Sequence, residues 1–366
     1  MQLSDYDSSW AEQAEHEGRR VLAALGGQFT EGGVVETIEP VGATSVPGLP
    51  ARPCIDLALA VWPFPLPPQR QAALEALGYT LVAGFTGPPE QRLRRSDGAF
   101  QLLLVDSGSE RWADYLIVRD YLRENQAARQ ELAERKRAWA AGATPESYQA
   151  AKDQWFPHLI EAAQQWWIAA RGFAPVQAAV AELAGFPEPW YVAGGWALDL
   201  FLGRVARVHH DVDIAIPFSA QLQLQAHLAA RGWGFVTPYE KRLEPWPPHM
   251  RLELPRHQVH AHRQGAFIDF VLTDMDDRIW RYRRNPAAIR AIDRAGLRTE
   301  AGVAYLAPEL VLLFKSKTTS GQERAKDQAD FEKIFPHLEP ERRAWLRWAL
   351  VAIDPEHPWI ERLGPG

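Results

Sequence analysis

The chain has 366 residues, 46% hydrophobic and 23% charged, with a formal net charge of −6; this length suits two domains better than one core. Residues 1–172 hold 16 basic and 22 acidic side chains and the remainder 24 of each, so neither part has the basic excess of a general nucleic-acid binder, and a small-molecule or nucleotide substrate fits better. No apolar run is long enough to span a bilayer, the polar and acidic N-terminus lacks a secretory pattern, and the single Cys54 has no internal disulfide partner; together these predict a cytoplasmic protein with no membrane partner.

In chain order, "SSWAEQAEHEGRRVLAALGG" has apolar residues at helical spacing and glycines at its end, which predicts a helix. "VVETIEPVG" and "CIDLALAVW" read as strands, "QRQAALEALG" as a short helix and "AFQLLLVD" as a strand. Between them "WPFPLPP" (Trp62–Pro68) is irregular, because proline removes donors and fixes φ. The stretch from "ERWADYLIVRDYL" to "ERKRAWAA" reads as one long charged helix, and "TPESYQAAKDQWF" onward as another with a Thr-Pro start. "RGFAP" (Arg171–Pro175) ends that pattern, placing a domain boundary that gives 1–172 and 173–366. Beyond it come a helix in "PVQAAVAELAGF", a strand in "PWYVAGG" entering a glycine turn, a helix in "WALDLFLGR", a strand in "DVDIAIPF" and a helix in "SAQLQLQAHLAARGW". "HMRLELP", "QVHAHRQ" and "AFIDFVLTD" read as strands of a mixed sheet, and "APELVLLFKSKTT", "ERAKDQADFEKIF" and "EPERRAWLRWALVAI" as a helical C-terminal part. The fold class expected is α+β (mixed α/β): two tandem domains, each a small mixed sheet with flanking helices. Fifteen tryptophans supply apolar surface for contacts between domains or between subunits of a homo-oligomer, and residue types do not separate the two.

The chemistry concentrates in "GGWALDLFLGRVARVHHDVDIAI" (Gly194–Ile216). On a strand, Asp211 and Asp213 project from one face, about 6–7 Å apart, and repel unless a cation lies between them. Mg²⁺ suits oxygen ligands and bridges to phosphates. Asp269, in the apolar "AFIDFVL", is a third carboxylate that needs a partner or a metal if buried. Gly194 and Gly195 enter a helix N-terminus and allow close approach to a phosphate, and Arg204, Arg207 and His209 are available for phosphate oxygens. Asp199 carries no spacing argument and reads as a surface or capping residue; Lys317 reads as solvated, and Lys326 and Asp327 as local surface pairs.

Gly194, Gly195, Trp196, Gly203, Arg204, Arg207, His209, Asp211 and Asp213 together resemble the signature of the aminoglycoside and lincosamide nucleotidyltransferases of the DNA polymerase β-like superfamily. The later "PELVLLFKSK" and "KDQADF" resemble that family's downstream helices. The resemblance implies a Mg²⁺-dependent enzyme, with one or two ions, that moves a nucleoside monophosphate from a nucleoside triphosphate, ATP by preference, onto a hydroxyl of a small acceptor and releases pyrophosphate. It implies Asp211, Asp213 and Asp269 as metal-binding and catalytic residues, with Asp269 near the acceptor and helping to take its proton. Gly194, Gly195, Trp196, Arg204, Arg207, His209 and Lys315 then form the nucleotide site. An aminoglycoside, a lincosamide, another metabolite or a protein hydroxyl fits as acceptor, and a non-catalytic nucleotide sensor or scaffold is the rival reading.

In the first half, the turn with Gly42, Thr44 and Ser45 can cradle a phosphate, and Asp56 sits on the next strand. "GATSVPGL", "RPCID" and the helical stretch after "GSERWADY" resemble the GrpB (UPF0157) family, itself nucleotidyltransferase-like, over nearly all of residues 5–168. Arg52 stands where that family usually has lysine, Ala43 for its serine, Pro40 for its histidine, Gln101 and Leu103 where histidines are frequent, and Ala58 where a second aspartate would complete D-x-D. One carboxylate makes a poor two-metal site. This half is therefore expected to be catalytically degenerate, with Gly42, Thr44, Ser45, Arg52 and Asp56 as its candidate site. Arg119, Asp120 and Arg123 read either as ligand contacts or as a solvated ion-paired face.

Overall fold

The computed structural model describes every residue except 1–2, 27–28, 31–32, 63, 85–89, 107–108, 241, 264–265, 317–324 and 365–366. Two units separate: Met1–Ala170 with Tyr239–Glu244, and Arg171–Pro238 with Pro245–Gly366. Both are mixed α/β. Among the described residues no helix is long and apolar enough to cross a membrane.

The first unit holds α1 (Ser9–Ala24), β1 (Phe29–Thr30), β2 (Gly33–Val41), β3 (Ile55–Trp62), α2 (Pro68–Ala76), β4 (Tyr79–Leu81), β5 (Glu90–Arg95), β6 (Phe100–Asp106), α3 (Glu110–Glu124), α4 (Gln126–Ala140) and α5 (Pro145–Arg171). Its sheet runs β1-β2-β3-β6-β5-β4, with the central β3 and β6 parallel. Parallel strands covered on both faces read as continuous apolar runs, as "LALAV" and "LLLV" do. Leu57, Leu59, Val61, Leu102 and Leu104 pack toward Trp10 and Val21 of α1. Ala58, Leu103 and Val105 point the other way, against Trp112, Tyr115 and Leu116 of α3. Period two places Asp56 and Gln101 on this second face, at the starts of β3 and β6 and in register with each other. Thr44, Ser45, Asp56 and Gln101 therefore lie beneath helices α3–α5.

The second unit holds α6 (Ala174–Ala181), β7 (Tyr191–Val192), α7 (Gly194–Leu202), β8 (Asp213–Pro217), α8 (Gln221–Ala229), β9 (Gly234–Tyr239) up to Pro238, β11 (Gln258–Arg263) and β12 (Ala266–Thr273), while β10 (Arg242–Pro245) groups with the first unit through Glu244. It continues with β13 (Ile279–Arg281), β14 (Ile289–Ala291), α9 (Ile292–Ala295), β15 (Gly296–Arg298), β16 (Ala304–Leu306), α10 (Pro308–Lys315), α11 (Ala325–Ile334), α12 (Pro340–Ile353) and α13 (Trp359–Leu363). The main sheet of this unit runs β9-β11-β12-β8-β7-β16-β15, and β8 and β12 are its central parallel pair.

Four local expectations are corrected. The long charged helix breaks at Asn125, whose backbone is extended (φ −104°, ψ 100°) and whose side chain accepts from the Ala128 N–H at 3.0 Å, capping α4. "HMRLELP" forms no strand. The glycine pair is the first turn of α7 rather than a turn before it. Asp211 precedes β8 instead of lying on it, because the chain bends there and strand pairing begins at Asp213. The expected tail of α10 beyond Ser316, Lys317 included, lies outside the described residues.

Candidate active site

Asp213 opens β8 and pairs in parallel register with Asp269 of β12. The indole N–H of Trp196 donates to the Asp211 carbonyl at 2.8 Å and fixes the bend ahead of the strand. Asp211, Asp213 and Asp269 thus each offer a ligand oxygen within 4.8 Å of the other two. Asp211 is exposed, Asp213 half-buried and Asp269 only 5% exposed.

Burial, then the charges of Asp211 and Asp269, lift the Asp213 carboxyl well above the usual range. Lys315 and Arg207 pull it back in part. Burial and Asp211 push Asp269 up to about 8, against the hydrogen bond from Gln258. That bond reaches Asp269 Oδ2 at 2.9 Å. Asp269 Oδ1 is buried with no hydrogen-bond donor, and His260 Nε2 stands 3.9 Å away. Three converging carboxylates and an orphaned buried oxygen are what a hard divalent cation with oxygen ligands would satisfy.

The glycines serve the protein's own side chains. Gly194 has φ +58°, and a Cβ there would fall on the Asp213 carboxylate. A Cβ on Gly195 would collide with the His209 ring and with Arg207. His209 lies against Trp196, ring centroids 4.5 Å apart, and its Nε2 meets Asp199 Oδ2 at 2.6 Å. Asp199 Oδ2 also accepts the Ala206 N–H at 3.1 Å. Asp199 is therefore a buried clamp, 3% exposed, and not a surface residue. Desolvation holds His209 below the ordinary imidazole value despite the Asp199 bond.

Arg207 forks onto Asp330, with both bonds at 3.2 Å. Lys315 sits between Asp327 at 3.0 Å and Asp330 at 2.8 Å. Asp327 is 1% exposed, so the expected local surface pair is instead a buried tie between α10 and α11. Arg204 is exposed. The residues brought together around Asp211, Asp213 and Asp269 are thus Gly194, Gly195, Trp196, His209, Arg207 and Lys315, with Arg204 outside this knot. Sequence reasoning missed Asp199, Asp330, Gln258 and His260. "KDQAD" did carry a signal, since Asp327 and Asp330 are spaced to share one helix face.

The first unit repeats part of this plan. Gly42 has φ +69°, and the Asp56 carboxylate occupies the place of its Cβ. Ser45 is committed locally, its hydroxyl donating to the Gly42 carbonyl at 2.7 Å. Gln101 Nε2 donates to Asp56 Oδ1 at 2.9 Å, so Gln101 stands beside Asp56 as Asp269 stands beside Asp213. A cavity of about 150 Å³ opens here, lined by Gly42, Thr44, Arg52, Asp56, Lys136 and Lys152 among others. Burial lifts the Asp56 carboxyl against the pull of Lys152, Arg52, Arg92 and Lys136. Arg119 is tied to Glu39 at 2.7 Å and Asp120 at 2.8 Å, and Arg123 donates to the Ser45 carbonyl at 2.9 Å.

Residues 1–162 match the sequence family described as GrpB protein, and residues 176–281 the one described as aminoglycoside-2''-adenylyltransferase. A UPF0157 protein of Streptomyces coelicolor is 37% identical over 122 residues, 33% of this chain and 60% of that protein. One of Halalkalibacterium halodurans is 32% identical over 139 residues, 38% of this chain and 68% of that protein. A 2''-aminoglycoside nucleotidyltransferase of Klebsiella pneumoniae is 43% identical over 49 residues, 13% of this chain and 27% of that enzyme.

Proposed function

We propose that this chain, which belongs to the GrpB family through its first unit and carries an aminoglycoside nucleotidyltransferase-like segment in its second, is a nucleotidyltransferase working at Asp211, Asp213 and Asp269. The observation that carries the reading is the convergence of those three carboxylates, with Asp269 Oδ1 buried and without a donor. The three residues would hold Mg²⁺, which when bound neutralises the triphosphate and the leaving pyrophosphate. ATP is the expected donor, and a hydroxyl on a small, aminoglycoside-like molecule the expected acceptor.

In this reading Asp269, the most enclosed of the three, takes the acceptor's proton. The acceptor oxygen bonds to the α-phosphorus, the bond from that phosphorus to the bridging oxygen breaks, and pyrophosphate leaves with the electron pair. Gly194 lets Asp213 lie against the start of α7, whose N–H groups and dipole favour the phosphates. Arg207 and Lys315, anchored on Asp330, set a positive field beside the carboxylates. The first unit, with Cys54 and Gln101 where the second has Asp211 and Asp269, is non-catalytic.

The test is calorimetric titration of ATP, with and without Mg²⁺, into the wild type and Asp211→Asn/Asp213→Asn, followed by pyrophosphate release with aminoglycoside acceptors. Mg²⁺-dependent binding that the double substitution abolishes, with acceptor-dependent release, is the expected result. Binding indifferent to both the metal and the substitution would refute the reading.

A further inference from the structure

The cavity of the first unit inverts the charge logic of the second. Around Asp213 two more carboxylates converge; around Asp56 the places that correspond to Asp211 and Asp269 hold Cys54 and Gln101, and helices α4 and α5 bring lysines instead. Among the described residues, Asp211, Asp213 and Asp269 form the one group of three metal-capable side chains. Arg92, also in the lining, is tied to Glu90. Arg52, Lys136 and Lys152 line the cavity with no ion pair to any described residue, and they face the single carboxylate of Asp56. Lys136 is 8% exposed and Thr44 4%, and the Thr44 hydroxyl has no hydrogen-bond partner. A buried ammonium that makes no ion pair and a buried hydroxyl without a partner both cost stability, and both are relieved by an anion that accepts hydrogen bonds. The rest of the lining includes Leu103, Leu122, Leu132 and Phe156. The lining is thus cationic at Arg52, Lys136 and Lys152 and apolar at the leucines and Phe156.

We propose that this cavity is a metal-independent site for a small phosphomonoester, its phosphate held by Lys136, Lys152, Arg52 and Thr44 and its organic body against the leucines and Phe156. A dianion matches the surplus of three cations over one carboxylate, and lysine with hydroxyl donors suits a phosphate's tetrahedral oxygens. Burial and the neighbouring Lys152 hold Lys136 down to about 7 in the ligand-free protein, as expected of an ammonium lacking its anion. The assignment is independent of the chemistry proposed for the second unit.

Phenyl phosphate is the probe. It is titrated in EDTA into the full-length Asp211→Asn/Asp213→Asn protein, so that the second unit's carboxylate site contributes no metal-dependent signal. Saturable binding is expected, weakened at least tenfold by Lys136→Met and severalfold by the near-isosteric Thr44→Val, with benzyl alcohol binding at least tenfold more weakly. Removing Lys136's charge relieves a buried ammonium, so that variant should stay folded, which thermal unfolding checks. Absence of binding in EDTA, or equal binding by the parent and both variants, would overturn the proposal.

Discussion

Asp269 shows how one side chain serves a site at the expense of the fold. Its carboxyl is raised to about 8 by burial and by Asp211, while in the unfolded chain it titrates near 3.9. Between those values the folded state binds the extra proton, so without metal this group's contribution to stability falls as pH rises from about 4 to about 8. Asp269→Asn mimics the protonated form. In EDTA the variant should match the wild type near pH 5 and exceed its stability at pH 8 by roughly 1–3 kcal/mol; denaturant unfolding at the two pH values measures the difference. A constant difference across that range would remove the physical basis for reading this carboxylate as awaiting a cation. The aspartates were legible as residues, from D-x-D spacing and from an acid inside an apolar strand. The orphaned Oδ1 was not, because a donor's absence is known only once every neighbour is placed.

At the scale of elements, the link between α7 and β8 is organised by a buried polar pair. Asp199 accepts from the Ala206 N–H and meets His209, which stacks on Trp196. Asp199→Ala strands both partners and should cost about 2–4 kcal/mol. Arg204→Ala, at an exposed position in the same connection, should stay within about 0.5 kcal/mol. Equal losses in urea unfolding would mean that the clamp does not organise the link. The sequence marked α7 and β8 well, through Gly-Gly at a helix start and a short apolar run. It hid β5, whose "EQRLRR" is mostly charged and is a strand because β6 and β4 pair with it on either side. It hid β9 as well, since "GFVTPY" opens on glycine and carries a proline, both disfavoured within strands. Strand identity in such segments comes from the partner strand rather than from propensity.

On the scale of the whole molecule, the three converging carboxylates belong to the second unit alone. Hydrogen exchange with Mg²⁺ and a non-hydrolysable ATP analogue should therefore protect residues 194–216 and 266–273, and leave residues 42–62 unchanged. Protection confined to residues 42–62 would move nucleotide binding to the first unit. Both units carry a positive-φ glycine against the first aspartate of a central strand, which lies parallel to a second central strand. They differ in what the second strand presents beside that aspartate, and the electrostatics of the two sites diverge from there.

By itself the sequence determined what neighbouring residues decide: the apolar runs of the central parallel strands, the glycines before each aspartate-bearing strand and most helix starts. Tertiary structure alone decided which charges are buried and which face one another. Lys136 and Lys152 sit in stretches that read only as helix, yet they line a cavity. Asp327 reads as a local surface partner of Lys326, and Lys315 as a nucleotide contact, yet Asp327 and Lys315 form a buried tie. A side chain's burial is set by what packs across from it, and here those partners lie on other elements, beyond the reach of local sequence pattern.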